Sequence, residues 1–438
     1  MMCGRSQNST HATPTESGGV CDAIRRHKWV LLFFGVAQTL IFIIPFDEIG
    51  RTYSSTGFYF DYASRMMAGQ IPYRDFAVEY PPFALLFFLL PRLLASTPEG
   101  YATAFAVETL LFSLAGMLVV VLVSQRLGLL SWKPVAVYTA FLVAIGPIIS
   151  HRYDIFPAIL VLLALYAFLS ERHGWTYALL AAGAMTKVYP AALLPVFLLY
   201  HYRNHSYHGI RSAVLTFAAT GLAIALPFVL MSPGGLLDSF TYHAQRGIQL
   251  ESTYSSLLLV AGTLGWISVG REFTYGSWNL TGTAAGIMAH VSMFVMPLAL
   301  GAAYWLIHRR LRTCPQSAQD LVSHMLLVLI VLVATSKVLS PEYLIWLLPL
   351  VPLFSGRFKY GAWGVFFAIG ALTYIVYPLR YADLIWLHPD AIVLLLERNV
   401  LIVTLAVIVA ASQQRTPPGV IDTAAASRGS HVAASNYD

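Results

Sequence analysis

Twelve apolar stretches of 12–25 residues succeed one another from Val30 to Ser412, separated by mostly short connections apart from the long ones at 47–100 and 232–282. Such a chain must bury these surfaces against each other and against lipid. Ordinary soluble domains carry roughly 25% charged residues, whereas this chain of 438 residues carries 11%, with 57% hydrophobic. Disorder is excluded by the same figures, since it requires low hydrophobicity and abundant charge. A spanning helix takes about 20 residues, so the expected fold class is all-α: a polytopic integral membrane protein of about 12 transmembrane helices. The stretches are 30–46, 101–124, 134–149, 155–170, 175–186, 189–202, 211–231, 283–307, 320–336, 342–355, 361–378 and 391–412.

Cations mark one side of this array. Arg126 with Lys133, Arg172, Arg203 with Arg211, Arg309 with Arg310 and Arg312, Arg357 with Lys359, and Arg415 all fall on alternate connections. By the positive-inside rule these are cytoplasmic. Both termini then lie inside, as expected for a multi-pass plasma-membrane protein, and most acids fall outside. The net charge of +6 is scattered, not gathered into a patch, which argues against a nucleic-acid partner. Cys3, Cys21 and Cys314 show no metal-ligand or CxxC spacing. Residues 1–24 and 413–438 read as disordered cytoplasmic tails around a membrane domain of 25–412. Pro82–Leu94 and Ser255–Val269 are too short to cross and read as re-entrant or interfacial pieces. Residues 175–202 read as two short segments; one tilted helix there would invert the whole downstream topology.

Three turns share a construction in which an apolar helix ends, a cation comes next and Pro restarts a helix. They are IIS-HRYD-IFPAILVLL (148–163), GAM-TK-VYPAALLPV (183–196) and VAT-SKVLSPEY-LIWLLPL (333–350). Helices this short should leave their turns recessed and lining a cavity, where charged groups mark substrate or ion paths. Repetition of Arg152, Lys187 and Lys337 in parallel turns favours a shared anionic ligand over snorkelling to headgroups. The longest outer hydrophilic segment, 47–81, contains Phe58, Tyr59, Tyr62, Ala63, Met66 and Met67 at helical spacing. Asp61 and Arg65 form an i,i+4 pair on its other face, as in a helix lying in the interface. Asp75 and Glu79 come next, in the extended IPYRDFAVEYPP. On the residues alone, Asp61 with Arg65 and Asp75 with Arg74 are better read as solvated surface pairs than as catalytic groups.

The string FDYASRMMAGQIPYRDFAVEYPP resembles the first loop of GT-C membrane glycosyltransferases, specifically glycosyltransferase family 87, a group that includes polyprenol-phosphate-mannose-dependent α-mannosyltransferases. HRYDIFPAILVLLAL (151–165), TKVYPAALLP (186–195), HAQRGIQLES (243–252) and SKVLSPEYLIWLLPL (336–350) extend the likeness over about 30–410. The resemblance implies transfer of a hexose, mannose favoured, from a polyprenyl-phosphate-linked donor to a glycolipid or glycan acceptor on the non-cytoplasmic face. It implies a first-loop Asp as general base. Asp61 is the matching position, although its DYAS context departs from the usual Asp-x-x-Val-Tyr. Asp75 and Glu79 therefore stand as further candidates.

The remaining candidates are substrate-binding. Arg152, Lys187, Arg246 and Lys337 would face the leaving lipid phosphate, with Arg65, Asp154 and Glu342 nearby, and His243, Arg246 and Glu251 on the second long outer loop, 232–254. There is no Asp-x-Asp string and no nucleotide phosphate loop. No cofactor or metal is expected, although Asp61 with Glu79 or Asp154 would make a divalent-cation site if they converged. A flippase for lipid-linked sugars is the alternative from another class, and a non-catalytic envelope-assembly subunit a third. No repeated half of the kind many transporters show is evident.

Overall fold

The computed structural model describes residues 20–43, 55–313 and 317–412, with the side chains of Phe240, His243 and Ala244 outside that description. Cys3, Cys314, residues 47–54 of the first loop and the tails 1–19 and 413–438 also lie outside the described residues. Helix α1, Val20–Ile43, begins before its apolar run, so 20–24 are helical. Its polar first turns continue through Arg25, Arg26 and Lys28, with a kink at His27 (φ −111°, ψ 16°).

The amphipathic helix expected in the first loop is α2, Thr56–Met67. It buries Thr56, Tyr59 and Ala63 on one face, and Tyr59 stacks on Phe88 of α3, Ala84–Leu94 (centroids 4.3 Å, planes 5° apart). α4, Pro98–Arg126, starts where Thr97 caps Gly100 N at 3.2 Å and Pro98 fills the first helical position. At 1.5 Å per residue its 29 residues span about 43 Å.

α5, Trp132–Ile145, ends in a break around the turn Ile148–His151 before α6, Ile155–Leu169. α6 is apolar all round and accordingly almost wholly buried, packed between α4 and α7, His173–Thr186. The ambiguous stretch 175–202 is two helices. α7 stops at Lys187, whose extended backbone (φ −154°, ψ 135°) leads into a 3-10 turn, Tyr189–Leu193, and then α8, Leu194–Arg203. α9, Tyr207–Met231, leads to α10, Pro233–Gln245, and α11, Thr253–Thr263. α11 is the helical part of the piece expected over Ser255–Val269.

Beyond α11 the chain forms a β-hairpin in a region expected to be loop. β1, Gly270–Thr274, and β2, Ser277–Thr281, pair antiparallel from Gly270↔Thr281 to Thr274↔Ser277. The two residues between them, Tyr275 (φ 52°) and Gly276 (φ 67°), are both left-handed, as a twist-matched two-residue hairpin turn requires. Residues 248–250 lie alongside β2, with Leu250 N donating to Trp278 O and Leu280 N to Ile248 O, each at 2.9 Å. Gln249 N donates to Lys337 O at 3.0 Å.

α12 is Thr283–Thr313 and α13 is Ala318–Thr335. The single helix expected over 342–355 is instead broken into Pro341–Tyr343, Leu344–Leu347 and Val351–Leu353, because Pro341 and Pro352 each restart a short turn. α14, Lys359–Tyr374, packs on α5 and on α15, Pro389–Ser412.

Among the described residues seven helical segments are long and apolar enough to span: α1, α4, α9, α12, α13, Lys359–Leu379 and α15. Four shorter apolar ones lie at 84–94, 132–145, 155–169 and 341–353. By length and composition, then, full-length spans account for part of the twelve. α1, α9 and α12 leave large apolar side chains such as Leu230, Phe294 and Leu298 exposed, as lipid-facing helices do. This is a multi-pass helical membrane protein.

Candidate active site

The three cation-bearing breaks meet at one cavity of about 890 Å³. Arg152 and Tyr153 come from the break before α6, Lys187 and Tyr189 from the end of α7, and Lys337 and Glu342 from the turn after α13. Glu79, Tyr80 and Pro81 close it from the first loop, Arg246 and Glu251 from the strap 246–252, and Tyr275–Trp278 from the hairpin.

Most charges in this wall are already matched. Lys187 Nζ stands 2.6 Å from Asp154 Oδ1, and Trp346 Nε1 donates to the same oxygen at 2.6 Å. Three rings surround that ammonium, those of Tyr153, Tyr343 and Trp346, at 4.9, 5.2 and 5.4 Å. Tyr189 and Tyr343 stack on Trp346 (centroids 4.1 and 3.9 Å) and hold it in place. Arg152 Nε lies 3.7 Å from Glu342, its Nη2 donates to the Tyr377 hydroxyl at 2.9 Å, and its Nη1 donates to Ser55 Oγ. Ser340 Oγ donates to Glu342 at 2.5 Å.

Arg246 and Lys337 line the same cavity. Arg246 Nη2 donates to Ser277 Oγ at 2.8 Å, while its buried Nε has no hydrogen-bond partner among the described residues. Burial, and then the nearby Arg246 charge, hold the Lys337 ammonium below its usual range. Two like charges facing one space can hold an anion between them. Glu79 is half-buried on the same wall. Burial pushes its carboxyl up, against the Tyr242 hydroxyl that hydrogen-bonds it and the Arg246 charge.

The first-loop candidates separate. Asp61 is solvent-exposed on α2 and held by Arg65 Nε at 2.8 Å, and Arg65 in turn lies over Phe76. Asp75 is bound by Arg74 at 2.9 Å and by Ile71 N at 2.7 Å, and those bonds hold its carboxyl below the usual range. Neither Asp61, Arg65 nor Asp75 lines the cavity, whereas Glu79 does. Asp154 lies beneath the lining, fully buried under Lys187. The His243 side chain lies outside the described residues. Among the described residues no group of three or more His, Cys, Asp or Glu side chains gathers.

Several residues of this site carry only a weak mark in the sequence. Tyr242 and the hairpin lie in stretches that read as loop, although Tyr-Gly between alternating REFT and SWNLT is a hairpin signal. Arg398 and Asn399 on α15 bind the strap from below, and an arginine in mid-helix is the available clue.

In comparison with known proteins, no curated protein matches the chain. Two of the solved structures similar to it are of one protein. ArnT from Cupriavidus metallidurans bound to undecaprenyl phosphate shares 16% identity over 88% of this chain and 78% of that one, with a TM-score of 0.48. The same protein in the apo state shares 15% over 89% and 78%, with a TM-score of 0.46. The model of glycosyltransferase family 87 matches residues 78–341, more than half the chain, a range that includes Glu79, Arg152, Lys187, Arg246 and Lys337. The chain belongs to glycosyltransferase family 87.

Proposed function

We propose that this membrane glycosyltransferase moves a hexose, mannose favoured, from a polyprenyl-phosphate donor to a lipid or glycan acceptor. The reaction takes place in the described cavity, at the non-cytoplasmic face of the plasma membrane, with both termini cytoplasmic. The observation that carries this reading is the placing of Glu79 and Arg246 on one cavity wall. A base and a phosphate-binding cation are then side by side, as the transfer needs.

The acceptor hydroxyl oxygen attacks the anomeric carbon and loses its proton to the Glu79 carboxylate. The anomeric carbon–oxygen bond to phosphate breaks, and the lipid phosphate leaves with the electron pair. Arg246 and Lys337 meet the charge that grows on it, with Lys187 and Arg152 behind them. Glu79 is preferred to Asp61 and Asp75 because those two are engaged at the surface outside the cavity. The donor brings its own leaving group, so the step needs no nucleotide. Asp154 and Glu342 are each matched to a cation, so we assign them to holding Lys187 and Arg152 and place no resident metal in the step.

The test uses purified protein in liposomes, given labelled polyprenyl-phosphate mannose with a membrane glycolipid extract or, separately, GDP-mannose. Transfer is expected from the lipid donor alone, unchanged by EDTA. It should fall about 10²–10⁴-fold in Glu79→Gln, the range for a lost general base, and persist in Asp61→Asn. Full activity in Glu79→Gln with loss in Asp61→Asn would return the base to Asp61. No transfer from any polyprenyl-phosphate sugar, with label instead crossing the bilayer unchanged, would make the protein a flippase.

A further inference from the structure

α15 carries a regular buried seam: Ala391, Leu395, Arg398, Ile402, Leu405 and Val409, spaced alternately by four and three. Five of these are apolar, and the third is an arginine that is completely buried. Its partners all belong to one short piece of chain and its own neighbour. Arg398 Nη2 donates to the backbone oxygen of Glu251, and Nε and Nη2 reach Asn399 Oδ1 at 3.1 and 2.9 Å. Asn399 Nδ2 donates to the backbone oxygens of Glu251 and Ser252 at 3.4 and 3.1 Å. Arg398 Nη1 lies 4.0 Å from Glu251 Oε1, and neither atom has a hydrogen-bond partner among the described residues.

A buried ion pair of this quality is a poor device for stability. Apolar residues of similar volume usually serve as well or better. It does, however, fix one backbone segment. The same strap is tied on its other edges by β2 and by the Lys337 carbonyl, and it begins at Arg246. The position of two cations in the cavity wall therefore depends on where the strap is pinned.

Resting on the proposed function, we infer that Arg398, with Asn399, is a positioning residue for donor binding. By holding the carbonyls of Glu251 and Ser252, it sets the strap so that Arg246 and Lys337 face one lipid phosphate. Arg398 touches no substrate and acts through the strap.

The test measures steady-state transfer from polyprenyl-phosphate mannose, or the polyprenyl-phosphate sugar wild type uses fastest, with donor and acceptor varied separately. Arg398→Gln and Asn399→Ala are expected to raise the donor KM about 10- to 100-fold, the scale of a misplacement near 1 Å. Acceptor KM should stay within about twofold, while kcat falls to the extent that Arg246 and Lys337 also meet the charge growing on the leaving phosphate. Arg398→Lys, which keeps one donor, should recover part of the loss. Because single variants can fail to fold, Arg398→Met with Glu251→Leu replaces the pair by apolar groups. That double variant should fold normally and still show the raised donor KM. A folded double variant with wild-type donor KM, or single variants that lose kcat at unchanged donor KM, would overturn the inference. Absence of turnover by wild type with every lipid-linked sugar would overturn the proposed function itself.

Discussion

Lys187 and Asp154 form a buried ion pair, 2.6 Å apart, in which the carboxylate is fully enclosed and Lys187 is the member that lines the cavity. The pair joins the end of α7 to the start of α6. Removing one member strands the other in a low-dielectric site, typically at a cost of about 3–5 kcal/mol. Asp154→Asn is therefore expected to unfold at markedly lower temperature in detergent. Asp154→Asn with Lys187→Met should regain much of the difference. Equal melting temperatures for wild type and Asp154→Asn would show that the pair does not hold the breaks together.

Glu79 must be ionised to accept a proton, and burial raises its pKa above that of an exposed glutamate. The rate should thus climb with pH along a limb lying above the ordinary value of about 4.3. The Tyr242 hydroxyl favours the charged carboxylate, so removing it in Tyr242→Phe raises the pKa further and moves the limb to higher pH. The pH profile of kcat/KM reads this directly. A limb unmoved in Tyr242→Phe would separate Tyr242 from the base.

The sequence made the cation-Pro breaks legible because charge and Pro are local signals, and all three do open on one cavity. It also marked α2 as an amphipathic helix. What it left open was which carboxylate would face inward. Asp61 sits on the face of α2 opposite Tyr59 and Ala63, and that face is decided by packing on Phe88, far along the chain. The hairpin and Arg398 each left a local mark in the sequence, but what they do was not legible: the strap 246–252 that lies along β2 and is bound by Arg398 comes from a distant part of the chain.

Arg246 carries two separable signatures. Its charge lowers the pKa of Glu79, and its guanidinium faces the space shared with Lys337. Arg246→Gln should raise donor KM and also shift the acid limb of the rate to higher pH. Lys337→Met should raise donor KM about 10- to 100-fold, as for a charged hydrogen bond of about 1.5–3 kcal/mol, and leave the limb where it is. An Arg246→Gln enzyme with raised KM and an unmoved limb would place its guanidinium away from Glu79.

Adjacent glycines on α10 give the sharpest contrast. A Cβ at Gly235 would lie 1.9 Å from the backbone oxygen of Tyr73, which also accepts from Ser232 Oγ at 3.0 Å. A Cβ at Gly234 would meet nothing within 4 Å. α10 therefore rests directly on the first loop there, and it carries Tyr242 towards Glu79 and leads into Arg246. Gly235→Ala must push the helix off Tyr73 and shift both residues relative to the base, so transfer should drop by about 10²-fold, the effect of a displacement near 1 Å. Gly234→Ala should keep full activity and gain about 0.5–1 kcal/mol of helix stability. Transfer assays on the two variants, alongside their melting curves, decide it: matched activities would mean that the seat of α10 on the first loop does not set the geometry at Glu79.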